Sequence, residues 1–217
     1  MEKNRLEAFT DGVIAVIITI MVLELKPPHE ATLAALLGNW PVFVSYVLSF
    51  VYVGIYWNNH HHLMHAVEKV NGKVMWANLF LLFWLSLFPF TTAWLNEAHG
   101  EGAMHEFPAA MPAALYGFVL LMAAVAWVPL SRALIACNGG ANSTLARALG
   151  GEAGDWKAKV SPVLYVGGIV LALFAHIVPS TTAAFWMPRV SCLLYAVVAA
   201  LWLIPDRRIE KHISGNP

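Results

Sequence analysis

Apolar residues arrive along this chain in six long blocks, separated by short clusters of charge, glycine and proline. A helix needs about 20 predominantly apolar residues to cross the hydrocarbon core of a bilayer. The blocks at roughly 8–25, 40–62, 74–95, 110–130, 161–178 and 184–204 qualify. Lys26-Pro27-Pro28 closes the first, Asn71-Gly72-Lys73 opens the third, and Pro205-Asp206-Arg207 closes the last. The runs are too long and continuous for the alternating strands of a membrane barrel. The pattern predicts an all-α, polytopic membrane protein in which six transmembrane helices form one domain over residues 1–217. Pro179 and Pro188 crowd the junction of spans five and six. Pro89 and Gly167-Gly168 are candidate interruptions of spans three and five. The longest connection, roughly 131–160, contains GGANS and GGEAGD and reads as a flexible loop with one short helix.

Charge tests this division independently, because Lys and Arg collect in the cytoplasmic loops of membrane proteins. With the N-terminus inside, the inner segments hold Lys3, Arg5, Lys69, Lys73, Arg132, Arg147, Lys157, Lys159, Arg207, Arg208 and Lys211. Of the 13 basic residues only Lys26 and Arg189 fall outside. The loop 96–107 carries Glu97, Glu101 and Glu106 with no Lys or Arg. Five or seven spans would spoil this alternation, so both termini are expected on the cytoplasmic side of a cell membrane.

Composition narrows the function classes. Only 12% of residues are charged, against about 25% in a soluble domain, so the expected solvent is the lipid bilayer. Net charge is zero, which gives nucleic acid no footing as a partner. Cys137 and Cys192 fit no metal or disulfide spacing and read as packing residues. The first apolar run lacks a small-residue cleavage site and reads as a retained helix rather than a signal peptide. No phosphate-binding glycine motif supports a nucleotide-driven pump. Ser86, Ser161 and Ser191 lack a base at helical spacing, so no enzyme is expected.

The opening stretch RLEAFTDGVIAVIITIMVLELKPP places polar residues directly before an apolar helix. At 100° per residue, Val16, Thr19, Ile20 and Leu23 fall within about 100° of one another, and Asp11, Ile18, Val22 and Leu25 lie opposite. Two readings stand at this point. Either the stripe faces lipid or neighbouring helices and Asp11 is an interfacial carboxylate near a helix N-terminus, or Asp11 is buried against its own subunit and the stripe faces a symmetry axis. The second span offers Asp11 partners in YWNNHHHLMH: Trp57, Asn59, His60, His61 and His62 supply indole, amide and imidazole donors. His61 and His65 also stand at i, i+4, a spacing that can hold a transition metal. No third ligand lies nearby in sequence, so the cluster is read as a polar boundary group with no metal.

Arg5-x-x-x-Phe9-Thr10-Asp11-Gly12-Val13, then Thr19 and Leu23-Glu24-Leu25, followed by Trp57-x-Asn59-His60-His61, resembles the endosomal and lysosomal potassium channel family of the TMEM class, in its bacterial six-helix branch. Threonine stands at position 10 where serine is usual, which keeps the hydroxyl and adds a methyl group. Spans three to six are similar to the family only in hydropathy. The resemblance implies a homotetramer with the first helix of each subunit lining a central pore at Val16, Thr19 and Leu23, with Ile20 bordering them. It implies potassium ions as the permeant species and no cofactor. Arg5, Phe9, Thr10 and Asp11 would then lock with Trp57, Asn59 and His60 or His61 to aim the stripe. Glu24 would concentrate cations at the outer mouth. No TVGYG sequence exists for a carbonyl filter, so modest selectivity would come from partial dehydration at apolar rings, which can also gate by dewetting. The rival is a secondary transporter or proton-coupled carrier, which would show helices broken in matched halves.

Overall fold

In lipid a backbone must satisfy its own hydrogen bonds, and long apolar runs therefore fold as helices. The computed structural model of the chain describes residues 2–28, 30–97, 108–149, 156–178 and 181–203. The helices are α1 (Lys3–Leu23), α2 (Leu33–Gly38), α3 (Trp40–His65), α4 (Gly72–Leu85), α5 (Phe88–Glu97), α6 (Ala110–Cys137), α7 (Thr144–Leu149), α8 (Trp156–Ile177) and α9 (Thr181–Leu203), with a 3-10 turn at Gly140–Asn142. Six helical stretches are long and apolar enough to cross a membrane, α4 and α5 together making the third. The fold is an all-helical, multi-pass membrane architecture. Glu101, Glu106, Pro179, Pro205, Arg207, Arg208, Lys211 and the GGEAGD segment lie outside the described residues.

Local chemistry sets several boundaries. The Asn71 side chain accepts the Val74 N–H at 3.1 Å and caps α4, and Thr32 accepts the Ala35 N–H at 3.1 Å to cap α2. The third span breaks at Ser86 and Leu87, just ahead of Pro89. Proline lacks the N–H that a continuous helix would need there, and its ring crowds the carbonyl four residues back. The expected interruption at Gly167-Gly168 is not found, since α8 runs unbroken through both. Pro188 lies inside α9 rather than between spans, because α9 begins at Thr181. The expected loop 131–160 is shorter than predicted: α6 continues to Cys137, and α7 is its short helix.

The core gathers around α6, which packs against α4, α5, α8 and α9. Its buried Ala113, Gly117, Ala123 and Ala126 let neighbouring backbones approach closely, a common solution where lipid gives helices no hydrophobic reason to associate. Gly117 and Gly168 have a more specific task. A Cβ on either would overlap the ring of Tyr195, which is fully buried between them. The Tyr195 hydroxyl donates to the Ala113 carbonyl at 3.3 Å, and its own carbonyl accepts the Tyr52 hydroxyl at 2.6 Å. Ser49 joins α3 to α5 and α6 through Thr92 at 2.7 Å and Tyr116 at 3.0 Å. At the end of α6, Asn138 Oδ1 accepts the N–H groups of Glu68 and Lys69 at 3.0 and 2.9 Å, tying the α3–α4 connection in place. This scaffold leaves α1 at the margin, packed on α3, α4 and α5.

Candidate functional site

Helix α1 buries one face only. Leu6, Thr10, Ile14, Ile17 and Met21 recur at four- and three-residue intervals and point into the subunit. Val16, Ile20 and Leu23 are 55%, 41% and 79% exposed, and Thr19 is exposed with them. On an ideal helix the centre of this stripe lies about 130° from the buried face. The four positions singled out by periodicity therefore share a surface that the subunit does not cover. Thr19 Oγ1 donates to the Val16 carbonyl at 2.8 Å. With its proton spent inside the helix, the hydroxyl oxygen keeps lone pairs to offer outward. Glu24 follows directly, exposed at the C-terminal end of α1. A carboxylate there opposes the helix dipole, so local helix stability gives no reason for its presence.

Two sets of contacts fix how α1 is turned. The first is buried. Thr10 Oγ1 donates to the Leu6 carbonyl at 2.9 Å, and Asn78 Nδ2 on α4 donates to Thr10 Oγ1 at 2.8 Å. That assignment leaves Asn78 Oδ1 as an acceptor, so His60 Nε2 on α3, 2.9 Å away, carries the proton and donates. A single run of donors thus passes from His60 through Asn78 and Thr10 to the backbone of α1. All three side chains are 0–1% exposed. The chain of donors explains why position 10 needs a hydroxyl, and threonine supplies it without losing burial.

The second set is a ladder on the open side. The Trp57 indole donates to Asp11 Oδ1 at 3.1 Å, and His61 Nδ1 lies 3.2 Å from Glu7 Oε1. Glu7 and Asp11 are one turn apart on α1, as Trp57 and His61 are on α3, so two antiparallel helices pair rung by rung. Trp57 and His61 also stack, with centroids 6.1 Å apart.

The predicted lock is thus divided. Thr10, Asp11, Trp57, His60 and His61 all meet partners between α1, α3 and α4. Arg5 and Phe9 do not: both are exposed on the stripe side of α1, because their angular positions follow Val16 and Ile20 rather than Thr10. Asn59 turns the other way, into a cavity of about 190 Å³ between α3, α6, α8 and α9 that Tyr52, Tyr165 and Trp202 also line. It is about half a turn from Trp57 and cannot face α1. Asn78 and Glu7 were missed from sequence. Asn78 carried a signal, a polar side chain in the middle of an apolar span. Glu7 carried only its i, i+4 relation to Asp11. The sequence around His61 and His65 offers no third ligand, but Glu7, 54 residues from His61, stands opposite them, with His61, His65 and Glu7 ligand atoms within 4.8 Å of one another.

Residues 5–89, which contain α3, α4, all but the first two residues of α1 and the whole of this network, match the family of the endosomal/lysosomal potassium channel TMEM175. A potassium channel of Chryseobacterium sp. (strain P1-3) is 46% identical over the full length of both chains. The mouse endosomal/lysosomal proton channel TMEM175 is 30% identical over 117 residues, covering 46% of this chain and 23% of its own. The crystal structure of a lysosomal potassium-selective channel TMEM175 homolog from Chamaesiphon minutus superposes with a TM-score of 0.66 at 25% identity, covering 93% of this chain and 98% of that one. These relatives are channels, not enzymes. With 46% identity over the full length and a family match over residues 5–89, the chain belongs to the TMEM175 potassium-channel family.

Proposed function

We propose that the protein conducts potassium ions passively as a homotetramer, with α1 of each copy turned toward a central pore in the cell membrane of a bacterium and both termini in the cytoplasm. The observation that carries this reading is the uncovered face of α1. A subunit that anchors one side of a helix with a buried hydrogen-bonded chain, and leaves Val16, Thr19, Ile20 and Leu23 bare on another, presents that face to something outside itself. Four copies would form apolar rings at Val16 and Leu23 with a layer of Thr19 hydroxyls between them. At 1.5 Å per residue the Thr19 layer would stand about 4.5 Å from the first ring and about 6 Å from the second.

Selectivity follows from hydration. Continuous helices offer an ion no carbonyl filter. An apolar constriction strips part of the ion's water, which costs sodium more than potassium because sodium holds its shell more tightly. Thr19 oxygens, with their protons bonded within the helix, would return part of that cost as weak ligands. The preference for potassium should be modest, and dewetting at the Leu23 ring supplies a gate. Glu24 at the end of α1 would raise the local cation concentration at the outer mouth.

The experiment is reconstitution in planar bilayers with potassium on one side and sodium on the other. A cation current whose reversal potential favours potassium is expected. Leu23→Ala should raise conductance or weaken selectivity, and Val22→Ala, on another face of α1, should do neither. Permeation unaltered in both Leu23→Ala and Thr19→Ala overturns the pore assignment.

A further inference from the structure

Where α1 enters the subunit, two helices bring together a donor set of which the ladder uses only the Glu7–His61 rung. Glu7 on α1 faces His61 and His65 on α3, and no two of their ligand atoms are more than 4.8 Å apart. His61 and His65 are one turn apart, with ring centroids at 4.3 Å. Lys3, one turn before Glu7 on the same face of α1, is occupied elsewhere, since its ammonium donates to the Val67 carbonyl at 3.2 Å, and Arg5 projects from the opposite side of the helix. We propose that Glu7, His61 and His65 bind a divalent transition-metal ion of the zinc class, and that the ion clamps the N-terminal end of α1 onto α3.

The geometry fits that ion. Zinc binds imidazole nitrogen at about 2.0–2.1 Å and carboxylate oxygen at about 2.0–2.2 Å, which places neighbouring ligands of a tetrahedron roughly 3.4 Å apart. Glu7 Oε1 and His61 Nδ1 already stand at 3.2 Å. His65 is exposed and free of the buried network, so a rotamer change closes the remaining gap. Two imidazoles and one carboxylate select zinc, cobalt or nickel over magnesium or calcium, which favour all-oxygen sites. The fourth position opens to water, because His61 and His65 lie at the subunit surface. The partial burial of Glu7, whose side chain is 19% exposed, raises the attraction of its carboxylate for a dication above that of an open surface acid.

The ion would act as a strut. Glu7 moves with the pore-facing helix and the two histidines move with the scaffold, so metal occupancy resists any motion of α1 away from α3. This consequence rests on the channel reading; the binding itself does not.

The test uses the full chain purified without a polyhistidine tag and titrated with zinc chloride by calorimetry. One zinc per subunit is expected, with Glu7→Gln and His65→Ala each weakening binding by at least about tenfold and His176→Ala, on an exposed position of α8, leaving it unchanged. No saturable binding, or equal binding in Glu7→Gln and His65→Ala, overturns the site. X-ray absorption of the zinc-loaded protein should show two imidazole ligands and oxygen. In proteoliposomes zinc should alter potassium flux of the parent chain and not that of His65→Ala; zinc that binds but leaves flux unaltered overturns the clamp. Binding lost in both variants, with no potassium flux in any chain, supports the site and overturns the channel reading.

Discussion

Replacing Asn78 by leucine tests the buried chain of donors at its centre. Leucine keeps the branched outline of asparagine and removes both polar atoms. Thr10 loses an accepted bond but still donates to the Leu6 carbonyl, so its share of the damage is small. His60 is left worse. Its Nε2–H loses its acceptor, and its Nδ1 already has no partner among the described residues, so an imidazole that is 1% exposed becomes unpaired at both nitrogens. A buried group left unsatisfied costs about 1–3 kcal/mol, and an interhelical side-chain hydrogen bond in a membrane protein contributes about 0.6 kcal/mol, up to about 1.7. Together these give a destabilisation of about 2–4 kcal/mol for Asn78→Leu. The decisive comparison is the double variant His60→Phe/Asn78→Leu. Removing both polar partners leaves nothing orphaned, so the pair should be more stable than Asn78→Leu alone by about 1 kcal/mol or more. Unfolding in mixed micelles, followed by tryptophan fluorescence, measures both. A loss below about 0.5 kcal/mol in Asn78→Leu, or a double variant less stable than the single, would refute the network as drawn.

Other outcomes follow from the same structure. Gly117→Ala drives a methyl group into the Tyr195 ring and should cost about 1–3 kcal/mol in the same unfolding assay, the range for overpacked cores. Asn138→Ala releases the amides of Glu68 and Lys69, and hydrogen exchange at those two residues should accelerate while α3 itself stays protected. Trp57→Phe keeps an aromatic ring but removes the donor to Asp11; because both groups are solvated, the stability change should stay below about 1 kcal/mol in the same unfolding assay.

The helices were legible because a membrane span is a one-dimensional property: length and hydropathy suffice, and the charge alternation checks them. Their ends were less so. Ser131 and Arg132 looked like the start of a loop, yet α6 runs on through Ala133–Cys137, where Ala133, Leu134 and Ala136 are good helix formers and Leu134 is buried. Within α1, the exposed stripe could be read from the helical period alone, since it needs no knowledge of the neighbours. The partners could not. Glu7 meets His61 across 54 residues and Thr10 meets Asn78 across 68, and no local pattern states which faces of two helices will touch. Asn59 shows the converse error: it belongs to the same motif as Trp57 and His60, but adjacency in sequence places it on the far side of α3.

The rung-by-rung pairing of α1 with α3 has an ambiguity built into it. Slide α1 by one turn, about 5.4 Å, and Asp11 would stand opposite His61 while Glu7 reached His65, so both carboxylates would still find mates and only Trp57 would be left facing Ala15. A zip with identical teeth can close one notch off. The His60–Asn78–Thr10 connection has no such second alignment, because a residue one turn away on α1 is Leu6 or Ile14, neither of which can take the amide's proton on its side chain. It acts as the index pin that sets the height of α1, and with it the level at which each bare residue of that helix is presented.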